Sequence, residues 1–309
     1  MNKGRQALVG CLKRATERLG FRLERIYPPD PDPVDIYLRN GRVPWSMGYC
    51  AYKDRLLASL IGDRDVLRRF EAGETLPPGF GWGVDERCVE YPWVLAHLPG
   101  RFERVLDGGS ALNHDYMVRH PRLHGRDLSI MTLGPELESF WKEGISYVFG
   151  DLRSMPFRDA WFDVVVSVST IEHVGFDNSI FTECQERAAS ESVSGYVEVL
   201  REFRRVLRPG GTLLLTVPYG RSDKTKTFQM FDAAMIENVR HAFGGAACES
   251  SFFLYTEKGW NSARPEQCAD AKYVDWFMRL PSERPPVFPV QPDGAAAARA
   301  VACLKLVKE

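Results

Sequence analysis

Two adjacent residues, Glu172 and His173, form the pair in this chain best suited to move a proton. Imidazole titrates near neutral pH, and a neighbouring carboxylate can orient it. The pair follows the apolar run 162–168, with Ser169 and Thr170 between. A second group, Asp107, Gly108, Gly109 and Ser110, follows the apolar run 104–106. Paired glycines let a backbone approach a ligand closely, and a helix starting behind them offers free N–H groups. Thr132 and Leu133 close the run 128–133, Asp151 and Leu152 follow the run 145–149, and Tyr219 lies just past the run 212–217. Together these types offer polar-ligand binding and proton transfer. The plainer alternative for His173 is a backbone hydrogen bond at the start of a helix. Glu172 and His173 could also be metal ligands. However, Ser169 stands three residues before Glu172 and no further His lies near in sequence, so no metal is expected.

Such groups must be brought to one place by the elements that carry them. The run 162–168 (FDVVVSV) is nearly continuous apolar and β-branched, the pattern of a strand covered on both faces. In an open parallel sheet the ligand sits outside the carboxyl ends of the strands, where strand order reverses. Further strands are predicted at 104–106, 128–133, 145–149, 212–217, near 251–255 and at 300–307. A helix at 196–207 presents Val199, Leu200, Phe203, Val206 and Leu207, another is expected near 231–243, and 208–211 and 294–298 read as turns. The fold class is α/β, a doubly wound, mostly parallel sheet.

Upstream, 47–73 reads as two short helices, one carrying Leu56, Leu57, Leu60 and Ile61, the other Val66, Leu67 and Phe70 beyond Gly62. The stretch 76–93, rich in Gly, Pro and aromatic residues, suits a loop or lid over a ligand, although Trp82, Tyr91 and Trp93 read equally as core. A helix over 85–98 is expected, with Asp85 as its N-cap. Residues 1–26 hold seven Lys or Arg against Glu17 and Glu24, with Leu8, Leu12, Ala15 and Leu19 at helical spacing. This is either a basic helix in peripheral contact with a membrane surface or partner, or a solvated helix packed on the domain. Prolines at 28, 29, 31 and 33 make an extended linker. The chain thus divides into an N-terminal helical and lid extension, 1–99, and an α/β domain, 100–309.

Bulk composition narrows the classes. With 309 residues, 44% hydrophobic and 26% charged, the chain can bury a substantial core. Its net charge of −1 carries no footprint for nucleic-acid phosphates, so no nucleic-acid partner is expected. Seven cysteines without a CxxC pair point to a reducing compartment, and no apolar run is long enough to span a bilayer. A cytoplasmic location is expected, and the oligomeric state is left open.

Four segments in order carry a family resemblance: the strand and DGG turn at 105–109, GDLRSMPF at 150–157, FDVVVSVSTIEHVG at 162–175 and LRPGGTLLLTVP at 207–218. They resemble the successive motifs of class I S-adenosylmethionine (SAM)-dependent methyltransferases, in particular the branch of quinone-biosynthesis and surface-polysaccharide enzymes. The resemblance implies a Rossmann-like, seven-stranded sheet with its last strand antiparallel and SAM lying across the carboxyl ends of strands one to four. It implies that Asp107, Gly108, Gly109 and Ser110 line the methionine part. Asp151 would accept from the adenine amino group beside Leu152, with Thr132 and Leu133 near the ribose and Ser167, Ser169 and Thr170 under the sulfonium.

This sequence departs from that pattern in two places. Ala111 and Asn113 stand where further glycines are usual, and Thr132 stands where an acid usually grips the ribose. A nicotinamide dinucleotide protein is the alternative fold-mate, but its G-x-G-x-x-G turn and ribose-binding acid are both missing.

Methyl transfer is an in-line displacement, and an alcohol acceptor also needs its proton removed. His173 is the expected base, Glu172 its orienting partner or a contact to the SAM amino group, and Tyr219 a further acceptor contact or base. Asp177 and Asn178 could hold sugar hydroxyls or cap the next helix, and the charges at 221–226 would suit an anionic acceptor group. The expected reaction is transfer to a hydroxyl oxygen of a glycan or other small-molecule acceptor. A quinone-type enzyme would instead need an apolar pocket of Phe80, Trp82, Tyr91 and Trp93. A non-catalytic binding module is the reading that the departures at Ala111, Asn113 and Thr132 motivate.

Overall fold

The computed structural model describes residues 31–178, 194–225, 227–244, 248–274 and 290–309. The basic segment 1–26 and the insertion beyond Asn178 lie outside the described residues. One sheet organises the rest. Its strands are β1 (Arg104–Gly108), β2 (Asp127–Thr132), β3 (Ser146–Phe149), β4 (Phe162–Val168), β5 (Leu207–Pro218), β6 (Cys248–Thr256), β7 (Gly259–Ala263) and β8 (Ala300–Val307). Their order is β3-β2-β1-β4-β5-β8-β6-β7. Strands β1 to β5 run parallel, and β8 lies antiparallel between β5 and β6.

The expected seven strands are therefore eight. The addition, β7, forms an antiparallel hairpin with β6 at the sheet edge. Its sequence, GWNSA, buries Trp260 but exposes Asn261 and Ser262, so it has no apolar run to betray it. Residues 208–211, expected as a turn, are drawn into the start of β5, where the register against β4 shifts between Phe162 and Val164.

Both faces of the sheet are covered, as the continuous apolar pattern of β4 requires. Val164, Val166 and Val168 join a cluster with α2 (Tyr49–Gly62), α3 (Arg64–Ala72) and α4 (Arg87–His97). Val165 joins the opposite cluster with α6 (Gly195–Val206) and α7 (Ala233–Phe243). Helix α1 (Pro33–Arg39) packs Tyr37 on Tyr49, and α5 (Asp115–Val118) is a single turn after β1. A last single turn, α8 (Pro265–Cys268), buries Cys268 in the α6–α7 cluster.

Helix α4 starts two residues later than expected. Asp85 still serves its start, its Oδ1 accepting from the Arg87 amide at 3.2 Å, while its Oδ2 accepts from the Tyr49 hydroxyl at 3.0 Å and from Lys53 Nζ at 2.9 Å. Its Trp93, Val94 and Leu95 share one cluster with Val105, Val166, Leu214 and Val301, so this helix from the first hundred residues forms part of a sheet-covering layer. The stretch before α4 is packed down: Phe80 meets Phe70 at 6.0 Å, and the Val84 carbonyl accepts from Trp260 Nε1 at 3.0 Å. Among the described residues no helix is long and apolar enough to cross a membrane.

Candidate active site

The strand order reverses between β1 and β4, since β2 and β3 lie to one side and β5 to the other. That is where the sheet offers a crevice at its carboxyl edge. Gly109 there has φ +124°, and a Cβ on it would fall 2.0 Å from Thr170 Oγ1, so only glycine fits between β1 and the residues after β4. Ser167 Oγ ties the two strands by donating to the Gly108 carbonyl at 2.9 Å.

Asp107 is wholly buried at the end of β1. Its Oδ2 accepts from the Leu112 amide at 2.7 Å, while Oδ1 has no hydrogen-bond partner. Burial pushes its carboxyl up to about 7 against the Leu112 and Ala111 amides, with help from the Glu136 charge. The neighbouring Ser110 hydroxyl is likewise unpartnered. Ala111 and Asn113 are not left-handed, so the lost glycines are not needed for the backbone path. Asn113 bridges instead, accepting from Tyr147 at 2.7 Å and donating to the Glu138 carbonyl at 2.9 Å.

After β4 comes a short turn, Ile171–His173. Glu172 in it is buried with Oε2 unpartnered. Burial first, and then the charge of Glu90, raise its carboxyl well above the ordinary range. His173 Nδ1 lies 2.7 Å from the Thr227 carbonyl. A carbonyl can only accept, so Nδ1 carries the hydrogen and Nε2 keeps its lone pair. Burial lowers this imidazole to about 4.

The most connected groups of the site come from α4, outside every residue singled out above. Glu90 is fully buried, and its Oε1 accepts from Ser169 Oγ and from Thr216 Oγ1, both at 2.6 Å. Its Oε2 pairs with the Arg87 guanidinium. Ser169, at φ +41°, is a non-glycine residue in left-handed backbone, and Glu90 holds it there. Arg87 is strongly held in its charged form: burial opposes this, but Glu90, Glu86 and Asp85 outweigh it. Glu86 accepts from the Ala298 amide at 3.2 Å and is raised to about 7 by burial and by the charges of Asp85 and Glu90. One signal could have found these residues. Arg87, Glu90 and their neighbour Glu86 are charges in a helix otherwise buried all round.

On the far side of β1, Asp151 is half-buried and clasped by Arg153, whose Nη2 donates to Oδ2 at 2.6 Å and whose backbone amide donates to Oδ1 at 2.8 Å. Arg153 outweighs burial and holds the Asp151 carboxyl low. Leu152 is buried, Thr132 ends β2, and Leu133 is 48% exposed. Glu136 is the acid within electrostatic reach of both Asp107 and Tyr147. Tyr219 is not brought to the Glu90 group. It packs in the α6–α7 cluster, its ring 4.9 Å from Phe252, and burial raises its hydroxyl.

Asn178 turns back to donate to the carbonyls of His173 and Phe176 at 3.2 and 3.1 Å. Of the four aromatic residues of the apolar-pocket reading, Phe80, Tyr91 and Trp93 lie in one large buried cluster, each with other partners. Trp93 stacks on His97 at 4.5 Å, Tyr91 faces His114 at 6.1 Å, Phe80 lies on Phe70, and Trp82 is 39% exposed. Among the described residues no three His, Cys, Asp or Glu side chains gather as a metal site would need.

Residues 108–215 match the family described as a methyltransferase domain. A protein of Encephalitozoon cuniculi named as a methyltransferase is 30% identical over 145 residues, 47% of this chain and 56% of that protein. A human protein named "probable tRNA methyltransferase 9B" is 27% identical over 135 residues, 44% of this chain and 24% of its own length. The chain thus spans about half of the first relative and a quarter of the second. Among solved structures, the YcgJ protein of Bacillus subtilis is similar at a TM-score of 0.46 and 16% identity, over 70% of this chain and 96% of that one. So is a Burkholderia thailandensis 1,6-didemethyltoxoflavin-N1-methyltransferase holding S-adenosylhomocysteine, at 0.41 and 13%, over 92% and 94%. The segment 108–215 is thus similar in sequence to a methyltransferase domain, and it carries the strands from the end of β1 to β5 that meet at the β1–β4 switch.

Proposed function

We propose that the chain is a SAM-dependent methyltransferase acting on a hydroxyl oxygen of a small-molecule acceptor, a glycan among the candidates. The observation that carries this reading is the β1–β4 switch point. There Gly109 is pressed against Thr170, while Asp107 Oδ1, one residue before the matched segment, and Ser110 Oγ, inside it, lack partners among the described residues. SAM carries an ammonium, a sulfonium and a carboxylate, and buried carboxyl and hydroxyl oxygens of this kind fit its cationic groups. Bound there, SAM would supply an electrophilic methyl group for in-line displacement.

The chain's own residues do the rest. Asp107, Ser110 and Thr170 would hold the methionine portion, Leu152 and Asp151 would flank the adenine, and Thr132 or Glu136 would reach the ribose. His173 has its tautomer fixed by the Thr227 carbonyl, which places the hydrogen on Nδ1 and leaves Nε2 as the basic nitrogen. An imidazole lowered to about 4 is a weak base. It suffices when the attacking oxygen gains positive charge as the new bond forms, because its proton is then strongly acidic. The net charge of −1 and the acids around the site speak for an uncharged or cationic acceptor over a polyanion.

Calorimetric titration with SAM and S-adenosylhomocysteine tests the reading. Both should bind the wild type, and Asp107→Ala should weaken both at least about tenfold, or about 1.4 kcal/mol. A folded wild type that binds neither ligand leaves the non-catalytic module as the better account.

A further inference from the structure

Two carboxyls at this site keep an unpartnered oxygen inside the protein, Asp107 at 0% exposure and Glu172 at 2%. They differ in surroundings. Asp107 has the Leu112 amide on its other oxygen and faces Glu136 and Arg87. Glu172 faces α4, with Glu90, Arg87 and Glu86 as its charged neighbours, and has His173 beside it in the chain. The cation on that face is already taken, because Arg87 pairs with Glu90, which also holds Ser169 and Thr216. Glu172 is thus a buried acid whose Oε2 meets no partner, with no ion pair of its own among the described residues, and burial of this kind favours the protonated form until a positive charge arrives. Its place, two residues past Thr170 at the β1–β4 switch, is where that charge would come from if the methyltransferase reading holds, and the inference rests on that reading.

We infer that Glu172 reads the charge of the bound cofactor, losing its proton to solvent when a sulfonium is present and keeping it when the sulfur is the neutral thioether of S-adenosylhomocysteine. The balance is one carboxylic acid becoming one carboxylate beside the cation, with one proton released. Asp107 does not discriminate in this way, since the amino-acid ammonium is common to both ligands. Glu172 therefore sets specificity. It favours the methyl donor over the spent product, increasingly so as pH rises, by at most tenfold per pH unit while the free protein holds the proton.

The test is proton counting by calorimetry on the full chain at pH 7.5, with each ligand titrated in two buffers of different ionisation enthalpy. For the wild type, SAM should release about one proton more than S-adenosylhomocysteine. In Glu172→Gln that difference should vanish and SAM affinity should fall at least about tenfold, with product affinity kept. Glu172→Asp, which restores a carboxyl, should recover part of the difference. Equal proton counts in the wild type overturn the inference, as does a difference that survives in Glu172→Gln. Binding of both ligands with equal counts sinks the role of Glu172 alone. Binding of neither sinks the methyltransferase reading with it.

Discussion

Asp107 is the residue at which burial has the clearest thermodynamic consequence. The folded chain holds its proton up to about pH 7, while an ordinary aspartate releases it near 3.8. Between these limits the folded state binds more protons than the unfolded one. The stabilisation is therefore complete below the lower limit and is lost as pH rises through the upper. His173 acts oppositely: lowered from 6.5 to about 4, it contributes above 6.5 and loses its contribution as pH falls. The wild-type curve mixes the two, so the comparison must isolate Asp107. Asp107→Asn removes its titration while keeping an acceptor for the Leu112 amide. Urea unfolding at pH 5 and pH 7 should show the stability gap moving toward the variant, by up to about 1.4 kcal/mol per pH unit. A gap independent of pH would show that Asp107 is ionised throughout.

At the scale of elements, α4 fastens the site together. Glu90 is the single acceptor for hydroxyls after β4 and on β5, and it neutralises Arg87. Glu90→Ala leaves a partly exposed guanidinium without its partner and two hydroxyls without their acceptor, so it should cost up to about 3 kcal/mol in urea unfolding. Glu90→Gln, which still offers an oxygen, should cost distinctly less, and equal costs would show that the charge has no structural part. The turn after β1 makes a different demand. Gly109→Ala adds a Cβ into Thr170 at φ +124°, and it should abolish measurable SAM binding and lower the melting temperature. Retained binding at wild-type stability would mean that the two segments part easily.

These elements also show what could be read from the chain. The strands β1, β4 and β8 were legible because both of their faces are buried, which leaves near-continuous apolar runs. The turn at Asp107 was legible because an acid and two glycines follow such a run directly. Edge strand β7 was not, since one side of it faces water. Glu90 stood out only as a charge within an apolar helix, and nothing in the linear order links it to Ser169 or Thr216, so its partners were not legible.

For the molecule as a whole, the question is whether the matched segment stands alone. The match begins at residue 108, and β1 begins at Arg104, which invites a boundary near 100. The packing does not support independent folding there. Trp93, Val94 and Leu95 on α4 are at most 1% exposed and belong to the same cluster as Val105, Val164, Val166, Leu214 and Val301. Removing the first hundred residues would expose one face of β1, β4, β5 and β8. Burial of each large apolar side chain is worth roughly 1.5–3 kcal/mol, and a whole domain is stable by only about 5–15 kcal/mol. Losing three such side chains together with the Glu90 clamp is enough to consume that margin. Residues 100–309 expressed alone should therefore be insoluble, or soluble without a cooperative thermal transition, while the full chain melts cooperatively. Adding residues 31–99 back as a separate chain should restore part of the transition, because the contacts are made by side chains and not by continuity of the backbone. A truncated protein that melts cooperatively and binds SAM unaided would show that α4 is a cover and not part of the core.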